Sequence, residues 1–536
     1  MHDHFSSFEY EDSKKVRDVY STDASIFSVV PEGVVFPKSS IDISKMVKKI
    51  SEENIPTSLT VRAAGTCMSG GPLNEGIIVD TTRYMNAVMG VDVNHKTITV
   101  EGGAMYKDIE NLATPHGLMF PPYTSSKDVC VIGGMIGNNA SGELSVRYGA
   151  TIDWVKSLDV VLSDGNVYTF KELTKEEWLE KQKLQNFEGE IYKKIAHILD
   201  MYEYLFETKV PKVSKNAAGY QFWKIYNPKT NTYNLSRLFT ASQGTLGIIT
   251  SATLRLTEIP PHRRIVVCAL TDIKIIGEVL HSLKNVNPES IETFDVHTYT
   301  LAKTYYPKEA SLVSFVSDTA IITLFIQVAE DTDEACRIRQ KEVIDILHKH
   351  NITAHIPENK ETIDAFFTIR RASFRMLKDL KSVESRVAPC IEDTIVPVER
   401  YGEFLTRLKP ILDDYTLTYT YAGHIGDGSI RLVPLANFDD QKTPEMLLEL
   451  SHRVYDLVIE LGGSISVDHN DGLLKTHYLE KQYSKEIVEM FKDIKTFFDP
   501  KIFLIPVKKY LLKNREARNM QKSIYIQKMY NFDRYR

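Results

Sequence analysis

A stretch of small residues from Pro121 to Gly149 constrains the fold of this chain more than any other segment. It contains the run Ile-Gly-Gly-Met-Ile-Gly-Asn-Asn-Ala-Ser-Gly, which ends at Gly142. With so little side-chain bulk, a flat ligand or a phosphate group can lie on the backbone, whose N–H groups then face it. The isoleucines and Met135 are too apolar for a solvated linker. The run is therefore predicted to be a binding loop packed against something buried.

A second glycine-rich loop precedes the first by about sixty residues. It reads Val-Arg-Ala-Ala-Gly-Thr-Cys-Met-Ser-Gly-Gly and covers residues 61–71. Neither loop closes with the Gly-Lys-Ser/Thr of a Walker A motif, and neither has the full G-x-G-x-x-G of a dinucleotide-binding turn. Two separate loops predict a long ligand that is held along its length.

The two loops resemble the flavin-binding loops of the FAD-linked oxidase family of the vanillyl-alcohol oxidase / p-cresol methylhydroxylase (PCMH) type. The loop at 61–71 is similar to R-G-G-G-T-S-x-x-G, and the stretch that begins at Pro121 is similar to P-x-x-P-S-S followed by x-G-G-x-x-x-x-N-A-x-G. A third motif, Ser-Gln-Gly-Thr-Leu-Gly-Ile-Ile-Thr at 242–250, resembles S-E-G-T-L-G-x-x-T. Within the family, the chain is similar to the D-lactate dehydrogenase / glycolate oxidase / D-2-hydroxyglutarate dehydrogenase branch, from about Tyr20 to Lys508.

The resemblance implies FAD as the cofactor. The residues that it implies for cofactor binding are Arg62, Ala63, Ala64, Gly65, Thr66, Cys67, Ser69, Gly70, Pro121, Ser125, Ser126, Gly133, Gly134, Gly137, Asn138, Asn139, Ala140, Gly142, Tyr148, Gly149, Gly244, Thr245, Gly247 and Ile249. Relatives with a histidyl-linked flavin carry a histidine where this chain has Thr66. The FAD is therefore expected to be noncovalent.

The expected fold class is α+β. The resemblance implies a two-part PCMH-type FAD-binding domain at 1–261, interrupted by a helical insert at about 171–212. The cap domain of the FAD-linked oxidase C-terminal type follows at 262–507, as an antiparallel sheet with helices on one side. Beyond Pro260-Pro261 the strand and helix patterns mix without the regular alternation of a parallel sheet, which agrees with that implication.

The composition predicts a cytoplasmic protein. The N-terminal residues lack the apolar core of a signal peptide, and the five cysteines include no C-x-x-C, as in a reducing compartment without an iron–sulfur cluster. Electrons are therefore expected to leave the flavin for an external acceptor: a quinone, a cytochrome, another flavoprotein or oxygen. No nucleic-acid partner is expected.

The last residues, 508–536, form a basic tail. Nine basic and two acidic residues give it a charge of +7, whereas the net charge of the chain is −6. Two interpretations stay open: a solvated or helical extension, or a weak contact with a membrane surface through the aromatic and aliphatic residues between the charges. The second would make the protein peripheral at the inner membrane face.

Five residues of the cap region are candidates for chemistry. Arg370 matches the family's substrate-carboxylate arginine in W-x-x-R, although Phe367 replaces the tryptophan. His424 and Arg431 lie in Ala-Gly-His-Ile-Gly-Asp-Gly-Ser-Ile-Arg, and Asp468 and His469 follow in Ser-Val-Asp-His-Asn-Asp-Gly. The resemblance implies that His469 is the base, and histidine suits that role because its unperturbed pKa lies near neutral pH.

Relatives can bind a divalent metal through two histidines of the first motif and a glutamate of the second. In this chain Arg431 replaces one histidine and Asp468 replaces the glutamate. Arginine has only donors and stays protonated, so it cannot be a ligand. No catalytic metal is therefore predicted, and Arg431 is expected to pair with the substrate carboxylate or with Asp468. The alternative is a weak metal site of His424 and Asp468 completed by water.

The predicted activity is FAD-dependent oxidation of a D-2-hydroxy acid. D-lactate is the first expected substrate, and glycolate or D-2-hydroxyglutarate the next. Two alternatives stay open: a flavoenzyme similar to alkylglycerone-phosphate synthase, which shares the fold without net oxidation, and a flavoprotein that serves only as a binding module.

Overall fold

A computed structural model describes residues 2–316, 320–357, 359–379, 385–415 and 417–505. The basic tail predicted at 508–536 lies outside these residues. Among the helices that are described, none is long and apolar enough to span a bilayer.

The first domain begins with a four-stranded sheet. Its strands lie in the order Tyr10–Glu11, Gly33–Val35, Ile77–Asp80 and Leu59–Arg62, and the last three are parallel. The helix Ser40–Glu52 packs here through Ile43, Met46, Val47 and Ile50, as its apolar period predicts. Its N-cap is Ser39, whose hydroxyl accepts from the Asp42 N–H.

A seven-stranded antiparallel sheet completes the first domain. Its order is Tyr226–Asn227, Thr232–Asn234, Val167–Thr174, Val155–Val161, Ile248–Arg255, Thr97–Glu101 and Val88–Asp92. The strands Leu118–Met119 and Thr257–Glu258 form a separate pair. The remaining helices of the region are His2–Phe5, Lys14–Tyr20, Tyr106–Ala113, Ser145–Tyr148, Thr151–Trp154 and Ser236–Phe239.

The glycine-rich run that was predicted as a loop forms the helix Ile132–Asn138. Its three apolar residues are buried at helical spacing, so packing outweighs the low helix propensity of glycine. The absence of a side chain at Gly133 lets the helix approach Gly102, whose carbonyl accepts the Gly133 N–H at 2.8 Å. A Cβ at that position would lie 2.5 Å from the same oxygen.

The predicted helical insert consists of Lys175–Gln182 and Phe187–Lys209. The longer helix buries Ile191, Ile195 and Ile198 in the core of the seven-stranded sheet, as the apolar stripe predicts.

The cap contains a second antiparallel sheet. Its order is His262–Leu270, Ile322–Glu330, Ser290–Asp295, Tyr419–Gly423, Ser429–Asn437 and Ser385–Val387, and Ile391–Ile395 also pairs with Ser429–Asn437. Its helices are Ile276–Lys284, Val296–Tyr305, Pro307–Leu312, Asp333–Lys349, Lys360–Asp379, Tyr401–Asp413 and Thr443–Glu460.

Helices cover both faces of the cap sheet, whereas one covered face was expected. Alternate residues of the strand His262–Leu270 pack into two different cores. Val266 and Cys268 belong to the same core as residues of the helices Ile276–Lys284 and Tyr401–Asp413, while Val267 belongs to a core with residues of Lys360–Asp379. Because successive side chains of a strand point to opposite faces, the sheet is the middle layer of the cap.

The end of the described chain returns to the first domain. The short helices Gly472–Lys475 and Leu479–Gln482 lead to Lys485–Phe498, which packs in the core of the seven-stranded sheet. Leu504 then forms a parallel bridge with Leu59. The sequence prediction assigned these residues to the cap domain at 262–507, and in the structure the helix Lys485–Phe498 packs against the first domain.

Candidate active site: a small-residue cleft beside a buried charge cluster

A cleft with about 980 Å³ of empty space lies between the glycine-rich segments, and Asp468 and His469 stand at its wall. Thirteen of the residues predicted to bind the cofactor line it: Ala63, Ala64, Gly65, Thr66, Cys67, Ser126, Gly133, Gly134, Gly137, Asn138, Ala140, Gly244 and Ile249. The structure thus brings segments that lie far apart in the sequence to one elongated cavity.

The other predicted cofactor residues do not line the cleft: Arg62, Ser69, Gly70, Pro121, Ser125, Asn139, Gly142, Tyr148, Gly149, Thr245 and Gly247. Several of them hold the loops in shape. Arg62 donates to the Thr22 carbonyl at 2.8 Å, and the Ser69 hydroxyl donates to the His469 carbonyl at 2.8 Å. These residues support the walls rather than facing the cavity.

The cleft fits a flat, extended cofactor such as FAD. Gly65 has a φ of +70°, where a side chain would be strained, and a Cβ on Gly134 would lie 3.0 Å from the Ala63 Cβ. Glycine therefore lets the two loops meet and leaves their backbone open to a ligand.

Gln243 joins three parts of the cleft, and the sequence prediction missed it. Its amide nitrogen donates to Asn138 Oδ1 at 2.9 Å and to the His469 carbonyl at 3.3 Å. Its amide oxygen accepts from the Gly472 N–H at 3.1 Å. Its position inside the third motif, where relatives have glutamate, was the available signal. Further lining residues that were missed are Val61, Gly71, Pro72, Thr81, Gly102, Thr124, Cys130, Val131 and Met135.

Behind the cleft wall lies a buried cluster of charged residues centred on Glu292. Its carboxylate receives Arg370 Nη2 at 2.5 Å and lies 2.7 Å from His424 Nδ1. Burial raises the pKa of Glu292 well above its ordinary range, against the opposing charge of Arg370. Arg370 is only 5% exposed and also has Glu143 at 3.8 Å. The predicted substrate arginine is thus already enclosed by two carboxylates.

His424 has one engaged and one unengaged ring nitrogen. Its Nδ1 contacts Glu292, whereas its buried Nε2 has no hydrogen-bond partner among the residues that the structure describes. Burial, and then the nearby charge of Arg370, lowers the pKa of His424 well below its ordinary value. His424 is therefore neutral at physiological pH.

A second group of charges surrounds Asp468 and faces the cleft. Arg431 Nη2 donates to its Oδ2 at 2.7 Å, Lys215 Nζ lies 3.7 Å from its Oδ1, and Ser141 donates a hydrogen bond to it. Burial alone would raise the pKa of Asp468, but the charges of Lys215 and Arg431 hold it far below its ordinary value. Arg431 keeps 20% of its side chain exposed and also donates to Ser125 Oγ at 3.3 Å. The predicted Arg431–Asp468 pair is therefore present.

The metal of the family's motif does not fit these residues. The guanidinium of Arg431 occupies Oδ2 of Asp468, and Glu292 engages Nδ1 of His424, so that only Nε2 of this histidine remains for a metal. Among the described residues, no three His, Cys, Asp or Glu side chains are grouped to hold a metal ion. No catalytic step is therefore derived through a metal.

Known proteins agree with this architecture. The sequence matches the family "FAD binding domain" over residues 31–171 and "FAD linked oxidases, C-terminal domain" over 259–508. The structure resembles p-cresol methylhydroxylase with a TM-score of 0.67 at 15% identity, covering 94% of each chain. An alkyldihydroxyacetonephosphate synthase gives 0.63 at 17% identity, covering 93% of this chain and 82% of that one.

The curated relatives are dehydrogenases and oxidases. The chain is 27% identical over 503 residues to a D-2-hydroxyglutarate dehydrogenase of Haemophilus influenzae, covering 91% of this chain but 49% of that protein. It therefore spans about half the length of several relatives that it matches. A glycolate oxidase subunit GlcD of Bacillus subtilis is 25% identical with 94% of both chains covered, and a D-lactate dehydrogenase of Archaeoglobus fulgidus is 26% identical with 92% and 95% covered. The chain belongs to the FAD-linked oxidases of the PCMH type, and its cofactor is FAD.

Proposed function

We propose that the protein oxidises a D-2-hydroxy acid to the 2-oxo acid, with D-lactate as the first candidate and glycolate or D-2-hydroxyglutarate next. The observation that carries the proposal is His469 at the cleft wall beside the Arg431–Asp468 pair. A base and an exposed cation next to a flavin site are what oxidation of a hydroxy acid requires. The names of the curated relatives support the substrate class.

The residues divide the reaction between them. FAD, when bound, supplies the acceptor for the hydride that leaves the α-carbon. His469 takes the hydroxyl proton, and Arg431 binds the substrate carboxylate, which orients the C–H bond towards the cofactor. Arg370 and neutral His424 lie behind Arg431, where both contact Glu292. The two electrons then pass to an external acceptor, such as a quinone, a cytochrome or another flavoprotein.

The deciding experiment is anaerobic mixing of the purified yellow protein with a panel of D- and L-2-hydroxy acids while flavin absorbance is followed. Bleaching by one D-acid, and weaker or no bleaching by its L-enantiomer, is the expected result. An oxidised spectrum with every acid would favour a reaction without net oxidation or a binding role.

We further propose that the FAD is noncovalent, because Thr66 stands at the cleft where histidyl-linked relatives have histidine. Denaturation followed by filtration should release the yellow colour into the filtrate. Colour that stays with the polypeptide would contradict this.

A further inference from the structure

His469 belongs to a turn that is held from both sides. On the cofactor side, its carbonyl accepts from Ser69 Oγ at 2.8 Å and from Gln243 Nε2 at 3.3 Å. On the cap side, its N–H donates to Asp393 Oδ2 at 2.8 Å. The backbone N–H and C=O of the proposed base are thus held by residues of different domains.

Asp393 holds the whole turn, not only His469. Its carboxylate also accepts from the Asp468 N–H at 2.8 and 2.9 Å and from the Val467 N–H at 3.1 Å. Lys475 Nζ lies 3.5 Å from the same carboxylate, and all of these atoms are shielded from water because Asp393 and Lys475 are fully buried. Burial of a carboxylate costs desolvation free energy, but the hydrogen bonds that it accepts from several N–H groups are strong. Such a carboxylate holds the backbone around it firmly.

The backbone at Asp393 is shaped for this contact. The strand Ile391–Ile395 pairs with Ser429–Asn437, and the register shifts between Ile391 and Thr394, so that a bulge contains Asp393. Asp393 has a φ of +75°, which is uncommon for a residue other than glycine. Bulges re-aim side chains, and strained residues persist where the surroundings determine them, often at functional sites.

We propose that Asp393 is a positioning residue, which fixes the His469 peptide and thereby the imidazole against the cofactor cleft. Its carboxylate lies 3.9 Å from His469 Nδ1, so it also places a negative charge near the ring. The proposal rests on the proposed function, in which His469 takes the substrate proton. The Glu-Asp-x-x-Val-Pro segment would thus serve the base rather than only the sheet.

The test is Asp393→Asn in the FAD-loaded full chain. Asparagine also tolerates a positive φ, but it replaces one acceptor oxygen by an NH₂ group that faces backbone N–H donors. Single-turnover reduction should become slower by about 100-fold, the effect of misplacing a catalytic group by about 1 Å, while the substrate dissociation constant and the FAD content stay near wild type.

Asp499 offers a matched control. It is fully buried, accepts from the Leu504 N–H at 2.8 Å and pairs with Lys495, yet it does not line the cleft. Asp499→Asn should lower thermal stability and leave the reduction rate within about twofold, well below the loss from a misplaced base. If Asp393→Asn behaves in the same way, Asp393 is only structural and the proposal is overturned.

Two further measurements keep the proposal testable. If Asp393→Asn does not fold, Asp393→Gly keeps the positive φ and removes the acceptors, and the same rate loss is expected. A crystal structure of the folded variant should show the His469 backbone displaced, and an unmoved His469 would overturn the proposal whatever the substrate is. Failure of every hydroxy acid to reduce the wild type would count against the proposed function alone.

Discussion

The cofactor cleft and the charge cluster behind it are built in opposite ways. The cleft is made of backbone and small residues from three sequence motifs, with glycine where two segments touch, as at Gly133 and Gly102. The cluster is made of long charged side chains, such as Arg370, Glu292 and Arg431, that come from separate strands and a helix. The cleft is suited to recognition of a ligand by its shape, and the charged residues are suited to recognition by charge.

Two arginines, Arg370 and Arg431, also differ in their exposure. Arg370 is buried between Glu292 and Glu143, so its charge is already neutralised inside the protein. Arg431 is paired with Asp468 but remains partly exposed beside the cleft. An incoming carboxylate would therefore meet Arg431 before Arg370. Buried pairs fix the geometry of a site, and partly exposed ones remain available to a ligand.

The largest expected effect is a loss of FAD from the cleft. In Gly133→Ala the new Cβ would lie 2.5 Å from the Gly102 carbonyl oxygen, which is backbone and cannot rotate away. Overpacking of this kind costs about 1–3 kcal/mol, and here it separates the segments that line the cofactor site. The purified variant should have lost most of its FAD, as measured by the ratio of flavin to protein absorbance.

Gly137→Ala is the matched control, because Gly137 lies on the same helix and also lines the cleft. Its Cβ would meet only Gln243 Cα, at an ordinary 3.7 Å. Its melting temperature should stay near wild type. Equal losses of FAD and stability in both variants would contradict the role assigned to the Gly133–Gly102 contact.

The next largest effect is expected on substrate affinity when Arg431 is replaced. Arg431→Ala removes a charge-assisted hydrogen bond to the substrate carboxylate, worth about 1.5–3 kcal/mol, which corresponds to about 10- to 150-fold in the substrate dissociation constant. FAD content should not change, because Arg431 does not line the cleft. Titration of the flavin spectrum with the substrate or with oxalate measures the affinity.

Arg431→Lys keeps the charge but not the planar fork, so its affinity should fall between those of wild type and Arg431→Ala. Wild-type affinity in Arg431→Ala would assign the carboxylate to another cation and remove the distinction between the two arginines.

The sequence predicts the cleft better than the cluster because the cleft is encoded locally. The buried face of the helix Ser40–Glu52 follows from its apolar period, since the residues that form that face lie within one segment. The helix Ile132–Asn138 was missed, because glycine disfavours helices and only tertiary packing stabilises this one. The return of Lys485–Phe498 to the first domain has no local signal at all.

Single charged residues were the hardest to predict. Glu292 is one acidic residue in a buried strand, and Lys215 belongs to a loop more than two hundred residues before Asp468. No spacing rule joins such residues, because their contacts are made only when the domains pack. A charged residue inside an apolar strand, as in Ser-Ile-Glu-Thr-Phe-Asp at 290–295, was the one signal for Glu292.

The charge cluster should also give stability a characteristic pH dependence. Because the pKa of His424 is lowered in the folded protein, the unfolded chain binds a proton that the folded protein does not bind. The contribution of His424 to the free energy of unfolding is therefore lost as pH falls below about 6.5. The raised pKa of Glu292 has the opposite sign, since its contribution is lost as pH rises above about 4.3. Each slope is at most about 1.4 kcal/mol per pH unit.

The variants His424→Gln and Glu292→Gln separate these contributions. Compared with wild type, His424→Gln should lose less stability on acidification from about pH 7.5 to 5.5, and Glu292→Gln should lose less when the pH is raised. Melting temperatures of the holoprotein across this range measure both. If both variants had the same pH dependence of the melting temperature as wild type, His424 and Glu292 would not titrate as their burial requires.

The smallest expected effect is that of chelation. Arg431 stands where relatives have a ligand, and its positive charge would repel a divalent ion from Asp468. Active protein treated with a chelator should contain substoichiometric metal by elemental analysis and keep its rate of flavin reduction. Chelator-sensitive activity that zinc or manganese restores would instead assign a weak metal site to His424 and Asp468. That result would mean that the guanidinium moves away when the metal binds, and the cluster would then recognise a cation as well as an anion.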